Sequence, residues 1–333
     1  MKKGCHPRAD IKVAPTNKAL RPKSKGVRRY DLIPPEFAQT LYSESIEMAK
    51  KGLGGIRIAR KLSDAYSLRI CPGTINHWIY GNRHPRVRNI FRELPSPALS
   101  YIIGANKGDG CTLTSSGCVK LEVTDKDFAE AFNDKMAELF SREKRNKVLV
   151  RRFKEGRLPL FIVKYSSKQL VKLLRGPLKT LLSMAFTYPR DYLRGFFDAE
   201  GHVDVAATRN FRLLVGAENS KRSLLQEVRR VLEEDFNIRS RLERKRRAGT
   251  MKVIRGESFV MRHTSFSIMI GRTKHVRLFA EKIGFSIHRK VEKLWDALSI
   301  IAGTSASKRV DAWKRLYTKV RGEWVRRESP WSS

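Results

Sequence analysis

Two short stretches of this chain each run into an acid followed by glycine: IIGANKGDG at 102–110 and LRGFFDAEG at 193–201. Laid over one another, Gly104 matches Gly195, Gly108 matches Ala199, Asp109 matches Glu200 and Gly110 matches Gly201. Each is helix-compatible and mostly apolar, and each reaches its carboxylate where a glycine would stop the helix. A helix closing on an acid and a glycine is ordinary; two in register ask for a common cause. Small residues four apart leave a smooth stripe on one face of a helix, and two such stripes let helix backbones approach closely. If the helices pack through these stripes, Asp109 and Glu200 converge. Two carboxylates forced together repel, and a divalent cation held between them is the natural remedy.

The elements that must position these acids repeat as well. Behind the first stretch come KLEVTDKDF (120–128), FAEAFNDKMAELF (128–140) and FIVKYSSKQLVKLL (161–174). Behind the second come FRLLVGAENSKRS (211–223), LLQEVRRVLEEDF (224–236) and FSIMIGRTKHVRLF (266–279), which sets Lys168 opposite Lys274. Period-2 runs read as strands and 3.6-period runs as helices, so each copy reads helix–strand–strand–helix–strand–strand–helix. The second copy is the longer, and its basic stretch RKRRAGTMKVIRGES (244–258) is expected to be a hairpin tip or loop.

This constellation resembles the two-motif, single-chain LAGLIDADG homing endonucleases over residues 96–300. IIGANKGDG departs from the motif at Asn106 and Lys107, where an apolar residue and an acid are usual. The resemblance implies an α+β fold of two pseudo-symmetric αββαββα halves, whose four-stranded sheets form a β-saddle over the major groove of DNA. It further implies Mg²⁺-dependent hydrolysis of both strands across the minor groove, leaving 3′ overhangs. Asp109 and Glu200 would hold the metal, with the backbone carbonyls of Gly108 and Ala199 completing its shell. A basic or polar group is expected at the end of the second strand of each half. In the first copy these are Asp125 and Lys126, with Lys126 polarising water or steadying the phosphate; a solvated lysine heading a helix is the plainer reading. In the second they are Asn219 and Ser220, with Lys221 or Arg222 replacing the missing lysine. Asp198, two residues before Glu200, is expected to point away from it and play a supporting part.

Hard oxygen donors suit Mg²⁺, and no His/Cys set of comparable quality supports zinc. Cys5, Cys71, Cys111 and Cys118 are too few and too irregularly spaced for a disulfide framework or a zinc knuckle. Charge names the partner class. The chain carries 69 Lys and Arg against 33 Asp and Glu, a net +36 over 333 residues. That field fits a polyanion rather than a small-molecule substrate. The expected partner is double-stranded DNA with a long specific target site, met by a monomer. An RNA maturase acting on intron RNA and a DNA-binding regulator on the same fold are the competing readings. No apolar run approaches the length of a membrane span, so no membrane partner is expected. A cytoplasmic, archaeal or other prokaryotic setting is, with an organelle as the alternative; the scarcity of glutamine leans towards a hot-living source. With no leading Cys or Ser, a free-standing intron-encoded product is favoured over an intein.

Five segments follow from composition and patterning: a basic flexible arm (1–30), a helical helix-turn-helix-like domain (31–94), repeat one (95–188), repeat two (189–300) and a basic C-terminal helix or tail (301–333). In the helical domain Ala59, Leu62, Ile75 and Trp78 are core positions. Arg69, Thr74, Asn76, His77, Tyr80, Asn82 and Arg83 are placed to meet DNA. VDAWKRLYTKVRGEWVRRESP (310–330) reads as one basic amphipathic helix, with Trp313, Leu316 and Val320 on one side.

Overall fold

The computed structural model describes residues 28–29, 33, 35–81, 85, 89, 91–153, 158–254, 257–320 and 322–327. It divides into two units, residues 1–88 and 89–333. Nearly all of the expected basic arm, together with Asn82 and Arg83, lies outside the described residues.

In the first unit, strand β1 (Arg28–Arg29) and helices α1 (Pro35–Lys50) and α2 (Gly55–Tyr66) are followed by β2 (Leu68–Arg69), parallel to β1, and α3 (Pro72–Ile79). Leu41, Ile58, Leu62, Ile75 and Trp78 are buried at the middle of the bundle. Helix α2 continues past Leu62 to Tyr66, where Ser67 closes it in the left-handed conformation (φ 50°). The link to α3 is therefore short, with β2 inside it, and α2 and α3 follow one another at a spacing close to that of a helix-turn-helix.

The second unit takes in residues that the sequence had joined to the helical domain. Asn89 donates to the Ser166 carbonyl, and Phe91 exchanges hydrogen bonds with the Gln169 side chain. Its first half runs α4 (Pro97–Lys107), β3 (Gly110–Leu113), β4 (Cys118–Val123), α5 (Lys126–Leu139), β5 (Leu149–Arg151), β6 (Leu160–Ser166), α6 (Lys168–Leu174) and α7 (Leu178–Ala185). The second half runs α8 (Pro189–Glu200), β7 (Gly201–Ala207), β8 (Phe211–Asn219), α9 (Arg222–Glu234) and β9 (Arg241–Arg246). After an inserted hairpin of β10 (Met251–Ile254) and β11 (Glu257–Val260) come β12 (Ser265–Ile270), α10 (Thr273–Lys282) and α11 (His288–Gly303). The sheets are antiparallel with orders β3-β4-β6-β5 and β7-β8-β12-β9, so two αββαββα halves are present, each followed by one more helix. Alternation builds them: Val119, Leu121 and Val123 of β4, and Leu213, Val215 and Ala217 of β8, turn inward onto a core that runs through both halves.

Register refines the repeat. Gly110 pairs with Leu121 and Gly201 with Ala217, so Leu121 and Ala217 are equivalent. Asp125 then matches Lys221, and both are the N-cap residues of their helices, α5 and α9. Asn219 matches Val123, not Asp125. Part of the extra length of the second copy therefore lies in its longer β7–β8 hairpin and not only in the β10–β11 hairpin. Because Leu121 also pairs with Val163 and Ala217 with Ile268, Lys168 matches Thr273, one residue away from Lys274.

The C-terminal stretch is not one helix. After α11 come a short 3-10 turn and α12 (Arg309–Leu316), and then a hairpin of β13 (Tyr317–Val320) and β14 (Glu323–Arg326) turning at Gly322 (φ 89°). Trp313 is buried and stacks on Tyr317 at 3.9 Å, and Trp324 Nε1 donates to the Val205 carbonyl. Leu316 and Val320 stay exposed. Aromatic docking onto the second sheet outweighs the helical spacing read from the sequence.

The join between halves is the α4–α8 contact. A Cβ on Gly104 would lie 2.2 Å from the Tyr192 carbonyl oxygen, and one on Gly195 would lie 2.2 Å from that of Tyr101. Backbone cannot yield as a side chain can. Gly195→Ala is therefore expected to destabilise the protein by about 3 kcal/mol, although alanine in a helix interior normally gains about 1 kcal/mol over glycine. Gly303→Ala, on α11 with open space around it, should be neutral or slightly stabilising. Thermal denaturation of the two variants checks this; an unchanged melting temperature for Gly195→Ala would contradict the interlock.

Candidate active site

Helices α4 and α8 end side by side. A Cβ on Gly108 would lie 2.5 Å from the Ala199 Cβ and 2.8 Å from the Glu200 Cγ. Asp109 and Glu200, one residue beyond each contact, are thus brought together from residues 91 apart in the chain. Burial and then the charge of Asp109 push the Glu200 carboxyl up to about 7. Asp109 opens towards solvent, yet the protein around it still displaces enough water to raise its carboxyl. Asn219 Nδ2 donates to Glu200 Oε1 at 2.7 Å, fixing one carboxylate oxygen.

Asp198 is buried. It accepts from Tyr101 Oη at 2.7 Å and from the Ser286 amide at 2.7 Å, tying α8 to α4 and to the start of α11. Its role is to brace the motif helices. Lys290, which the sequence reading missed, is buried on α11 and donates to the carbonyls of Phe197 (3.3 Å) and Asp198 (2.8 Å) in the last turn of α8. The Phe197 carbonyl also accepts from the Gly201 amide that closes α8, so Lys290 adds a second donor at this helix end. Burial pushes the Lys290 ammonium down to about 8, while its charge opposes the rise of both Asp109 and Glu200. The signal was present: Lys290, Leu294, Ala297 and Leu298 share the buried face of α11, and a lysine on an apolar stripe is rare without a partner.

Other expected residues are placed differently. Lys126 is mostly exposed and pairs with Glu130 at 3.3 Å, one turn along its own helix. Asp125 is clasped by Arg289, whose Nε and Nη2 donate to its two oxygens at 2.6 and 2.8 Å. Lys221 and Arg222 are exposed at the start of α9. The Asn106 side-chain amide, where the motif has an apolar residue, packs against Gly110 without a hydrogen-bond partner. Among the described residues, no group of three or more His, Cys, Asp or Glu side chains is placed to hold a metal ion. Any cation here would rest on two carboxylates and backbone oxygens.

In the first unit, Arg69, His77 and Tyr80 are exposed and Thr74 is half-buried. Asn76 is not on the open face: its Oδ1 fills the space against Gly55, where an added Cβ would meet it at 1.9 Å. It belongs to the packing of α2 on α3.

The architecture is therefore that of an α+β protein with paired four-stranded antiparallel sheets and an N-terminal helical region, and a family model described as a LAGLIDADG-like domain matches residues 187–284. The chain belongs to the family of the uncharacterized protein MJ0398 of Methanocaldococcus jannaschii, to which it is 31% identical over 252 residues, 74% of this chain and 89% of that protein. Among solved structures it is similar to mesophilic variants of the homing endonuclease I-DmoI (17% identity, TM-score 0.40, 56% of this chain and 95% of that one). It is also similar to full-length WhiA from Thermatoga maritima (16% identity, TM-score 0.40, 68% of each chain). No helix among the described residues is long and apolar enough to cross a membrane.

The raised Glu200 carboxyl has a consequence for stability. Its folded value, about 7, lies above the ordinary 4.5, so the folded state binds the extra proton between these values. Stability from this group is present below pH 4.5 and is lost as pH rises to about 7, the reverse of a salt-bridged acid. Without metal, in EDTA, Glu200→Gln should melt close to the parent at pH 4.5 and above it at pH 7.5, by up to about 3 kcal/mol. Equal melting temperatures at pH 7.5 would show that the site does not strain this carboxylate.

Proposed function

We propose that this chain is a site-specific double-strand DNA endonuclease that hydrolyses phosphodiester bonds with Mg²⁺ held by Asp109 and Glu200. The observation that carries the proposal is the convergence of these two acids at the ends of two interlocked helices, against their mutual repulsion. The donor set fits the ion: two hard carboxylates, one oriented by Asn219, and the carbonyls of Gly108 and Ala199 beside them. Bound there, a divalent cation would neutralise charge on the phosphate and favour an attacking hydroxide. The chain's own residues do the rest. Asn219 directs Glu200, Asp198 and Lys290 hold the helix ends, and the Lys290 charge keeps both acids easier to ionise.

Polyanion binding is supported by the net +36 charge and by the open face of the first sheet. There Lys120 of β4 stands directly opposite Lys164 of β6. Like charges facing across strands are unfavourable, and a phosphate backbone relieves them. Glu122 is shared between Lys120 and Arg151 and leaves most of that charge uncompensated.

A second reading, a DNA-binding regulator, is favoured by the separate helical unit with α2 and α3 in a helix-turn-helix-like arrangement. Cleavage of a plasmid library with random inserts in Mg²⁺, read by sequencing the ends, separates the two. Asp109→Asn or Glu200→Gln should lower cutting at least about 10²-fold, the scale for loss of one electrostatic contact to a developing charge. Both should bind mixed-sequence duplex as tightly as the parent or more so, and Ca²⁺ should support binding with poor turnover. A folded Glu200→Gln that cuts at the parental rate would sink the proposal; sequence-selective binding with no cleavage by the parent would favour the regulator.

A further inference from the structure

The two motif helices end among pseudo-symmetric surroundings of opposite charge. Lys107 of α4 stands where α8 has Asp198. Lys221 caps α9 where Asp125 caps α5. Pro177 caps α7 where Ile287 caps α11, so Lys179 takes the place of Arg289. On the α5–α11 side the charges next to the helix end are answered. Arg289 is held by Asp125, Lys290 by the Phe197 and Asp198 carbonyls, and Asp127 accepts from the His288 amide. On the α7–α9 side the same three places hold Lys107, Lys179 and Lys221, and among the described residues none of them makes an ion pair.

Lys107 Nζ, half-buried, reaches only the Leu174 carbonyl at 3.3 Å. Its charge and that of Lys221 act on one another across this corner. The Lys221 amide donates to Asn219 Oδ1, and Asn219 Nδ2 donates to Glu200, so two hydrogen bonds join this corner to the carboxylate pair. A half-buried ammonium beside another, with no acid paired to either, is unfavourable until an anion arrives.

We propose that Lys107 and Lys221, with Lys179 at the place matching Arg289, form a phosphate subsite beside Glu200 that has no counterpart on the Asp109 side. One backbone of a bound duplex is then gripped by protein ammoniums and the other is not, so the two strands are held unequally. This rests on the nucleic-acid reading above and deepens it.

Salt-dependent binding of a mixed-sequence 30-base-pair duplex, measured in EDTA without cleavage, tests the subsite. Each phosphate contact contributes about 0.9 to the slope of log affinity against log salt. Lys221→Gln, at an exposed position that should not affect folding, is expected to flatten the slope by about one contact, and Lys107→Gln/Lys221→Gln by about two. Asp125→Asn/Arg289→Gln, which removes one charge of each sign from the matching place, should keep the parental slope. A steep parental slope that Lys221→Gln and the lysine double variant leave intact would overturn the subsite alone. A parent with no salt-dependent duplex binding would overturn the nucleic-acid reading and the subsite with it. Equal flattening by the Asp125/Arg289 variant would overturn the one-sidedness.

Discussion

The close approach of α4 and α8 is the constraint on which the rest of the second unit depends. At Gly104 and Gly195 each helix backbone lies against the other's carbonyl oxygen with no room for a methyl group. That contact merges two half-cores into one and fixes where both helices end. Asp109 and Glu200 are neighbours because of it. Burial of Glu200, and after it the repulsion from Asp109, is a cost the folded chain bears, visible in a Glu200 carboxyl pushed up to about 7. Close-packed helices can hold such a pair together because packing contacts are many and the unfavourable charge is one.

Around that contact the chain places supports rather than further acids. Asp198 collects the Tyr101 hydroxyl and the Ser286 amide, and Lys290 closes the carbonyl end of α8. Both reach across elements distant in sequence, so both lock helix ends that would otherwise fray. The pseudo-twofold relation therefore holds in the order and pairing of elements and is loose in charge. Helices, sheets and strand register repeat, while Asp198 and Lys107, or Asp125 and Lys221, invert sign at equivalent places. Backbone close-packing leaves little freedom, whereas half-exposed positions beside a polyanion's path can carry either sign.

How far the sequence alone reached follows from which interactions are local. Glycine spacing at 104, 108 and 195, period-2 strands and 3.6-period helices are properties of short windows. The repeat, the two sheets and the convergence of Asp109 with Glu200 were legible from them. So was the extra hairpin after β9, because its basic run breaks the repeat. What was not legible depended on register and docking. The likeness of VTDKDF to GAENSKR pairs Asp125 with Asn219; the strand pairing moves that match by two residues, because the β7–β8 hairpin is longer. The C-terminal stretch had helical spacing, but Trp313, Tyr317 and Trp324 dock on one another and on the Val205 carbonyl, and the chain turns back as a hairpin.

Residue types and spacing determined that this chain would build two like halves, bring two acids to one axis and carry a strongly positive charge. Those outcomes follow from steric and periodic rules that act within a dozen residues. Only the tertiary structure decided which cation supports the acids. Lys126 was the natural choice in sequence, yet it reaches Glu130 on its own helix, whereas Lys290, ninety residues beyond Glu200, is buried against the last turn of α8. Asn76 moved from an exposed face into helix packing for the same reason. A side chain's partner is set by where distant elements pack, and no local pattern encodes that distance.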